Sequence, residues 1–135
     1  MLNEPSTPPR RPRIVVADDN AGIRVLIRLM IGHLADVHEC ADAPSAVALH
    51  SALGADAVLL DVRMPGDGLT AARRITAHDA HCAVVIVTGI NDDDVRRAAV
   101  RAGARAFVLK DDLSRLPDVL RQVLPSLHNP QEDER

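Results

Sequence analysis

Short apolar runs alternate along this chain with longer stretches of helical periodicity. The runs are Ile14-Val15-Val16-Ala17, a weaker one from Val37 to Cys40, Ala57-Val58-Leu59-Leu60, Ala83-Val84-Val85-Ile86-Val87 and Ala106-Phe107-Val108-Leu109. All but the weaker one are continuously apolar instead of alternating, as strands covered on both faces by helices must be. Between the runs, Ile23, Leu26, Ile27, Met30 and Leu34 recur on one helical face, and so do Leu113, Leu116, Leu120, Val123, Leu124 and Leu127. Pro44 and Pro117 fall where a first helical turn tolerates proline, and Gly103 falls where a helix ends. The pattern predicts (βα) repeated five times: an α/β fold with a doubly wound, five-stranded parallel sheet joined by right-handed crossovers. The common strand order at this size is 2-1-3-4-5, although spacing alone admits others.

Composition sharpens this picture in a few places. The 135 residues suit one domain, and with Phe107 as the single Phe, Trp or Tyr, the core must be layered from Val, Leu, Ile and Ala. Residues 1–12 hold four prolines and little to bury, and residues 128–135 are polar and charged, so both are expected to be disordered tails around a domain at 13–127. A net charge of -3 supplies no field for holding nucleic acid or an anionic membrane. Cys40 and Cys82 are too few for a disulfide framework. With no apolar span of membrane length and no signal-like start, the expectation is a soluble, cytoplasmic protein.

In an open parallel sheet ligands bind beyond the carboxyl ends of the strands, so the residues that follow each run carry the chemistry. The first run ends in Asp18-Asp19, the third in Asp61, the fourth in Thr88 and the fifth in Lys110. Carboxylates gathered this closely repel, by about 4 kcal/mol for two unit charges ~4 Å apart at an effective dielectric of ~20. A cation must offset that. All-oxygen ligands favour a hard ion, and Mg2+ typically takes one or two carboxylates while leaving room for a phosphate oxygen. A carboxylate can itself be the nucleophile, forming an aspartyl phosphate. Of the 16 basic residues Lys110 is the only lysine, an exception that a compact ammonium beside a phosphate would explain.

Plainer readings exist for each residue. Asp18 and Asp19 could cap the helix that starts near Ala21, Asp61 could open the turn before Pro65-Gly66, and Thr88 could be an ordinary strand-end hydroxyl. Taken together they must still explain why the acids fall at neighbouring strand ends. Asp92-Asp93-Asp94 opens the helix after the fourth strand and reads as capping. The six histidines show no metal-ligand pairing at helical or finger spacing, so zinc is not expected and they read as surface residues.

The order Asp-Asp, Asp, Thr, Lys, carried by VVADDN (15–20), LLDVRMPGDG (59–68), VIVTG (85–89) and AGARAFVLK (102–110), resembles the receiver domains of bacterial two-component response regulators. The resemblance covers about residues 13–127 and implies a flavodoxin-like fold, as in small chemotaxis regulators. It also implies that Asp61 is the phosphoacceptor, that Asp19 binds Mg2+ directly and Asp18 through water, and that the backbone carbonyl of Arg63 joins them. Thr88 and Lys110 would engage the phosphoryl group, and Phe107 would be the switch aromatic. The implied donor is a sensor histidine kinase or a histidine phosphotransfer protein. The implied output is a change at the face of the fourth helix, fifth strand and fifth helix, read by a downstream protein or by a second copy in a homodimer. Such a domain is a signalling phosphoacceptor that catalyses only its own phosphorylation and dephosphorylation. Exposed Arg96, Arg97, Arg101 and Arg105 would make the output face basic.

Departures qualify the resemblance. Asp111 stands where many relatives have proline, as in receivers that precede helix-turn-helix output domains; only a few charged residues follow the last helix, so the expectation is a stand-alone regulator without direct DNA binding or else a fragment of a longer chain. Gly89 replaces the usual alanine and would loosen the loop beside Thr88. Arg63 and Ile90 occupy positions that modulate hydrolysis, and a long cation beside an apolar cover would lengthen the life of the phosphoryl group. A phosphorylation-independent adapter with the same fold is the alternative. A flavin carrier would need a Ser/Thr- and Gly-rich phosphate loop after the first strand, which is missing.

Overall fold

The five apolar runs become five strands. The computed structural model describes residues 10–127. Strands β1 (Arg13–Ala17), β2 (Asp36–Cys40), β3 (Ala57–Leu60), β4 (Ala83–Thr88) and β5 (Ala106–Leu109) alternate with helices α1 (Ala21–Ile31), α2 (Ala43–Leu53), α3 (Gly68–His78), α4 (Asp93–Arg101) and α5 (Leu116–Val123). The sheet is parallel throughout, in the order β2-β1-β3-β4-β5. This is the doubly wound arrangement that the pattern predicts. Of the expected tails, residues 1–9 and 128–135 lie outside the described residues. Arg10–Pro12 lie inside them, with the Arg11 guanidinium donating to the carbonyls of Gly32 and Ala35.

Strand alternation sorts the core into two layers. Ile14, Val16, Leu59, Val85 and Val108 face α1 and α5, where Ile27, Ile31, Leu116 and Leu120 meet them. Val15, Val58, Leu60, Val84 and Ile86 face α2, α3 and α4, which answer largely with Ala43, Ala46, Ala71, Ala72 and Ala99. Small side chains let these helices approach the sheet closely. The half-exposed β2 pairs only with β1, which is why its run is the weakest.

Local chemistry sets the boundaries. Asn20 accepts from the Ile23 N–H, Asp42 from the Ser45 N–H, and Asp92 from the N–H groups of Asp94 and Val95, each closing a helix N-terminus. The capping role expected of the Asp92 run is thus present. The expectation for the last helix needs correction. Residues Lys110–Arg115 and Pro125–Leu127 are 3-10 turns on either side of α5, and Leu124 is extended at φ -117°, ψ 102°. Pro125 keeps the residue before it out of the helical region. Leu113, Leu116, Leu120 and Leu124 are nevertheless all buried on one side, so the periodicity reports burial even where the helix breaks. A second correction concerns the histidines: His50 is buried at 7% exposure, its Nε2 2.9 Å from Asp79 Oδ2.

Candidate functional site

The strand register determines which residues meet at the sheet's carboxyl edge. Ala17 is paired with Leu60, so Asp18 and Asp61 are the next residues on adjacent central strands. Thr88, the last residue of β4, is paired with Leu109, which places Lys110 one residue beyond it on the neighbouring strand. Carboxylate oxygens of Asp18, Asp19 and Asp61 fall within 4.8 Å of one another. Asp18, Asp61 and Thr88 are buried and Asp19 is exposed. A cleft of about 380 Å³ opens above them, lined in part by Asp19, Asp61, Arg63, Thr88, Ile90 and Lys110.

Lys110 is the counter-charge. Its ammonium lies 2.8 Å from Asp18 Oδ2 and donates to Asp61 Oδ2 at 3.2 Å. Burial opposes its charge, but the bonds to Asp18 and then Asp61 hold its pKa above the ordinary lysine value. The Asp61 carboxyl is pushed above the usual carboxylate range, first by burial and then by the neighbouring Asp18 charge, with Lys110 only partly compensating. Asp18 Oδ2 is fully buried, and the Lys110 ammonium at 2.8 Å is its one close partner among the described residues. Three acids, two of them buried, with one ammonium shared between Asp18 and Asp61, form a donor set suited to a hard cation. The residues present therefore fit Mg2+.

Several contributors were not legible as site residues. The backbone N–H of Asn20 donates to Asp18 Oδ1 at 2.8 Å, and the Arg24 guanidinium donates to the Asp18 carbonyl at 2.6 Å while pairing with Glu39. Arg28 and then Arg24 hold the Glu39 carboxyl below its ordinary range. Gly68 is the most constrained: a Cβ there would sit 1.8 Å from the carbonyl oxygen of Asp61. At Gly66 (φ 86°) an added Cβ would meet Pro44 Cδ at 2.7 Å, and the Ala43 N–H donates to the Pro65 carbonyl at 2.8 Å, fastening the loop after Asp61 to α2. The glycines are visible in the string PGDG, but their contacts are not.

Phe107 is partly buried against the α2–α3–α4 layer, with the Arg96 guanidinium 4.4 Å from its ring centroid. The basic face expected there is reduced. Arg96 is half-buried over the ring, Arg97 pairs with Asp94, and Arg105 donates to the Ala80 carbonyl at 2.7 Å. Arg101 is exposed, next to a Val100 that is 72% exposed.

A profile of the response regulator receiver domain family matches residues 14–121, most of the chain. The chain belongs to that family. Among curated receiver-containing relatives it is 35% identical over 103 residues to the cyclic di-GMP phosphodiesterase response regulator RpfG of Xanthomonas campestris pv. campestris (strain 8004), covering 72% of this chain and 27% of that protein. It is 32% identical over 124 residues to the transcriptional regulatory protein AruR of Pseudomonas aeruginosa, covering 83% of this chain and 50% of that one. The chain thus spans between about a quarter and a half of these two relatives. Among solved structures, the signal receiver domain of an HD domain-containing protein from Pseudomonas fluorescens Pf-5 superposes with a TM-score of 0.83 at 27% identity, covering 99% of both chains. A LuxR-family two-component response regulator from Aurantimonas sp. SI85-9A1 gives 0.79 at 29% identity, covering 87% of each. Receiver domains are signalling modules of two-component systems, and the fold agrees with this membership. Among the described residues no helix is long and apolar enough to cross a membrane.

Proposed function

We propose that this receiver domain accepts a phosphoryl group on Asp61 from a phosphohistidine of a sensor kinase or phosphotransfer protein. The reading rests on one observation: three carboxylates converge beneath an open cleft with the single ammonium of Lys110 among them. An Asp61 carboxylate oxygen attacks phosphorus, the bond from phosphorus to the imidazole nitrogen breaks, and the electron pair leaves with the imidazole. Asp18, Asp19 and Asp61, with the Arg63 carbonyl, would hold Mg2+, which when bound neutralises charge on the transferring group.

Lys110 pairs with the incoming oxygens, exchanging part of its contact with Asp61 for one with phosphate. Thr88 ends β4 at the cleft wall, where its hydroxyl accepts from the Ile90 N–H at 3.4 Å. Redirected toward a phosphoryl oxygen, that hydroxyl draws the β4–α4 loop inward and vacates space into which Phe107 can turn. The face of α4, β5 and α5 then changes shape, a two-state element biased by a local charge. A downstream protein or a second copy of the chain reads that change, in a cytoplasmic setting.

Intact-mass measurement after incubation with Mg2+ and acetyl phosphate tests this. One phosphoryl adduct that requires Mg2+ and is absent from Asp61→Asn is expected. No adduct with acetyl phosphate and no Mg2+-dependent beryllofluoride complex would instead favour a constitutive adapter.

A further inference from the structure

A second cluster of ligating side chains lies at the opposite edge of the sheet. His50 is in the last turn of α2, Asp79 caps the end of α3, and Cys82 immediately precedes β4. One nitrogen, one carboxylate oxygen and the sulfur all lie within 4.8 Å of one another. His50 and Cys82 are more than nine-tenths buried, and Asp79 is partly exposed. His50 and Asp79 also line a cavity of about 420 Å³, whose wall includes His78 and Ser51. The phosphoryl chemistry uses none of these groups.

A His–Asp pair alone could be a staple between α2 and α3, and a buried cysteine alone is a small hydrophobe. Two features exceed that account. The thiol lies within 4.8 Å of both the imidazole and the carboxylate, and the adjoining cavity leaves space for a fourth ligand, either water or His78. Nitrogen, sulfur and oxygen together suit a borderline-soft ion with tetrahedral preference, whereas Mg2+ favours oxygen alone. Bonds of ~2.3 Å to sulfur and ~2.0–2.2 Å to nitrogen and oxygen put neighbouring donors of a tetrahedral ion roughly 3.3–3.7 Å apart. The His50–Asp79 pair, at 2.9 Å, need open by only about half an ångström.

We infer that His50, Asp79 and Cys82 form a second metal site, for Zn2+ or an ion of similar character, with its fourth position open to the cavity. Binding exchanges the thiol proton for a metal–sulfur bond, that proton leaving to solvent, while the proton between His50 Nε2 and Asp79 moves to Nδ1, with no change in oxidation state. Such an ion would tie α2, α3 and the start of β4 together at the base of the domain, away from Asp61.

Cobalt(II) is the probe, because thiolate ligation to it gives a near-ultraviolet charge-transfer band and the chain has neither Trp nor Tyr to obscure that window. The metal-stripped full chain is titrated with Co2+ in excess Mg2+, its fold followed by circular dichroism. The expected result is a band that saturates at one equivalent, is displaced by Zn2+, survives Cys40→Ser and is lost in folded Cys82→Ser. Asp79→Asn should weaken binding at least tenfold. No band from the folded wild-type chain, or a band that survives Cys82→Ser, would overturn the site while leaving the Asp61 reading untouched.

Discussion

The guanidinium of Arg96 covers the ring of Phe107 at 4.4 Å from its centroid, joining α4 directly to the aromatic side chain of β5. A cation held over a ring is worth about 0.5–1 kcal/mol at a partly exposed site, enough to shift a rotamer equilibrium roughly two- to fivefold. Arg96→Ala is therefore expected to enlarge the population of the alternative Phe107 rotamer by that factor before any phosphorylation. Phe107 is the single phenylalanine of the chain, so selective isotope labelling of phenylalanine makes its ring signals report the change without assignment ambiguity. Identical ring shifts in the variant and the parent would show that the contact does not bias the switch.

Lys110 and Asp61 make opposite predictions for stability. Removing the ammonium in Lys110→Met strands two buried carboxylates, and a loss of about 1–3 kcal/mol is expected at neutral pH, discounted for partial exposure. Millimolar Mg2+ should restore much of it. Because the Asp61 carboxyl is raised in the folded state, its ionisation costs stability. Its favourable contribution is complete below the unfolded-state value near ~4 and is lost as pH rises through the folded value. Asp61→Asn should thus melt ~2–4 °C higher than the parent at pH 7, with the gain vanishing toward pH ~3–4. Calorimetry across this range, without Mg2+, checks both variants.

Gly68 and Gly89 should respond very differently to an added methyl group. At Gly68 the new Cβ would overlap the Asp61 carbonyl, whereas at Gly89 nothing lies within 4 Å. Gly68→Ala is expected to cost about 3 kcal/mol or more, or to displace Asp61 and abolish phosphorylation. Gly89→Ala should stay within about 0.5 kcal/mol of the parent and, if the glycine loosens the loop beside Thr88, should slow exchange there. Urea denaturation and backbone relaxation measurements separate the two.

Arg63 and Ile90 both line the cleft over Asp61. A long cation and an apolar cover at its mouth should hinder water in line with the phosphoryl group. Replacing both by serine is expected to hasten loss of the phosphoryl group roughly tenfold, a barrier change of about 1.4 kcal/mol. Equal decay in a time course of intact mass would remove that role.

What the sequence disclosed depended on whether the signal was local. Val58, Val84 and Ile86 announce buried strands by their own neighbours, and Asp61 or Lys110 needs only its position after such a run to be placed at the sheet edge. The break at Leu124 depends on Pro125, a local signal that the leucine periodicity masked. His50 looked like a surface residue because its partner, Asp79, is 29 positions away and on another helix. The same holds for Arg24 on the Asp18 carbonyl and for Arg96 on Phe107. Those contacts exist only once the crossovers have brought the elements together.

The fastening of Pro65 to the start of α2 gives the cleft over Asp61 two unlike walls. One wall, carrying Asp61, is tied to α2 by the backbone bond from Ala43 to Pro65, and an added Cβ at Gly66 or Gly68 would find no space there. The other wall, from Thr88 through Ile90, meets an open side at Gly89. On the proposed reading, a phosphoryl group on Asp61 would act between a wall that is tied down and one that is not, as between an anvil and a moving jaw. Whatever reads this domain should contact the moving jaw, and mutations that unclamp Ala43 from Pro65 should leave phosphorylation intact while dissipating the signal.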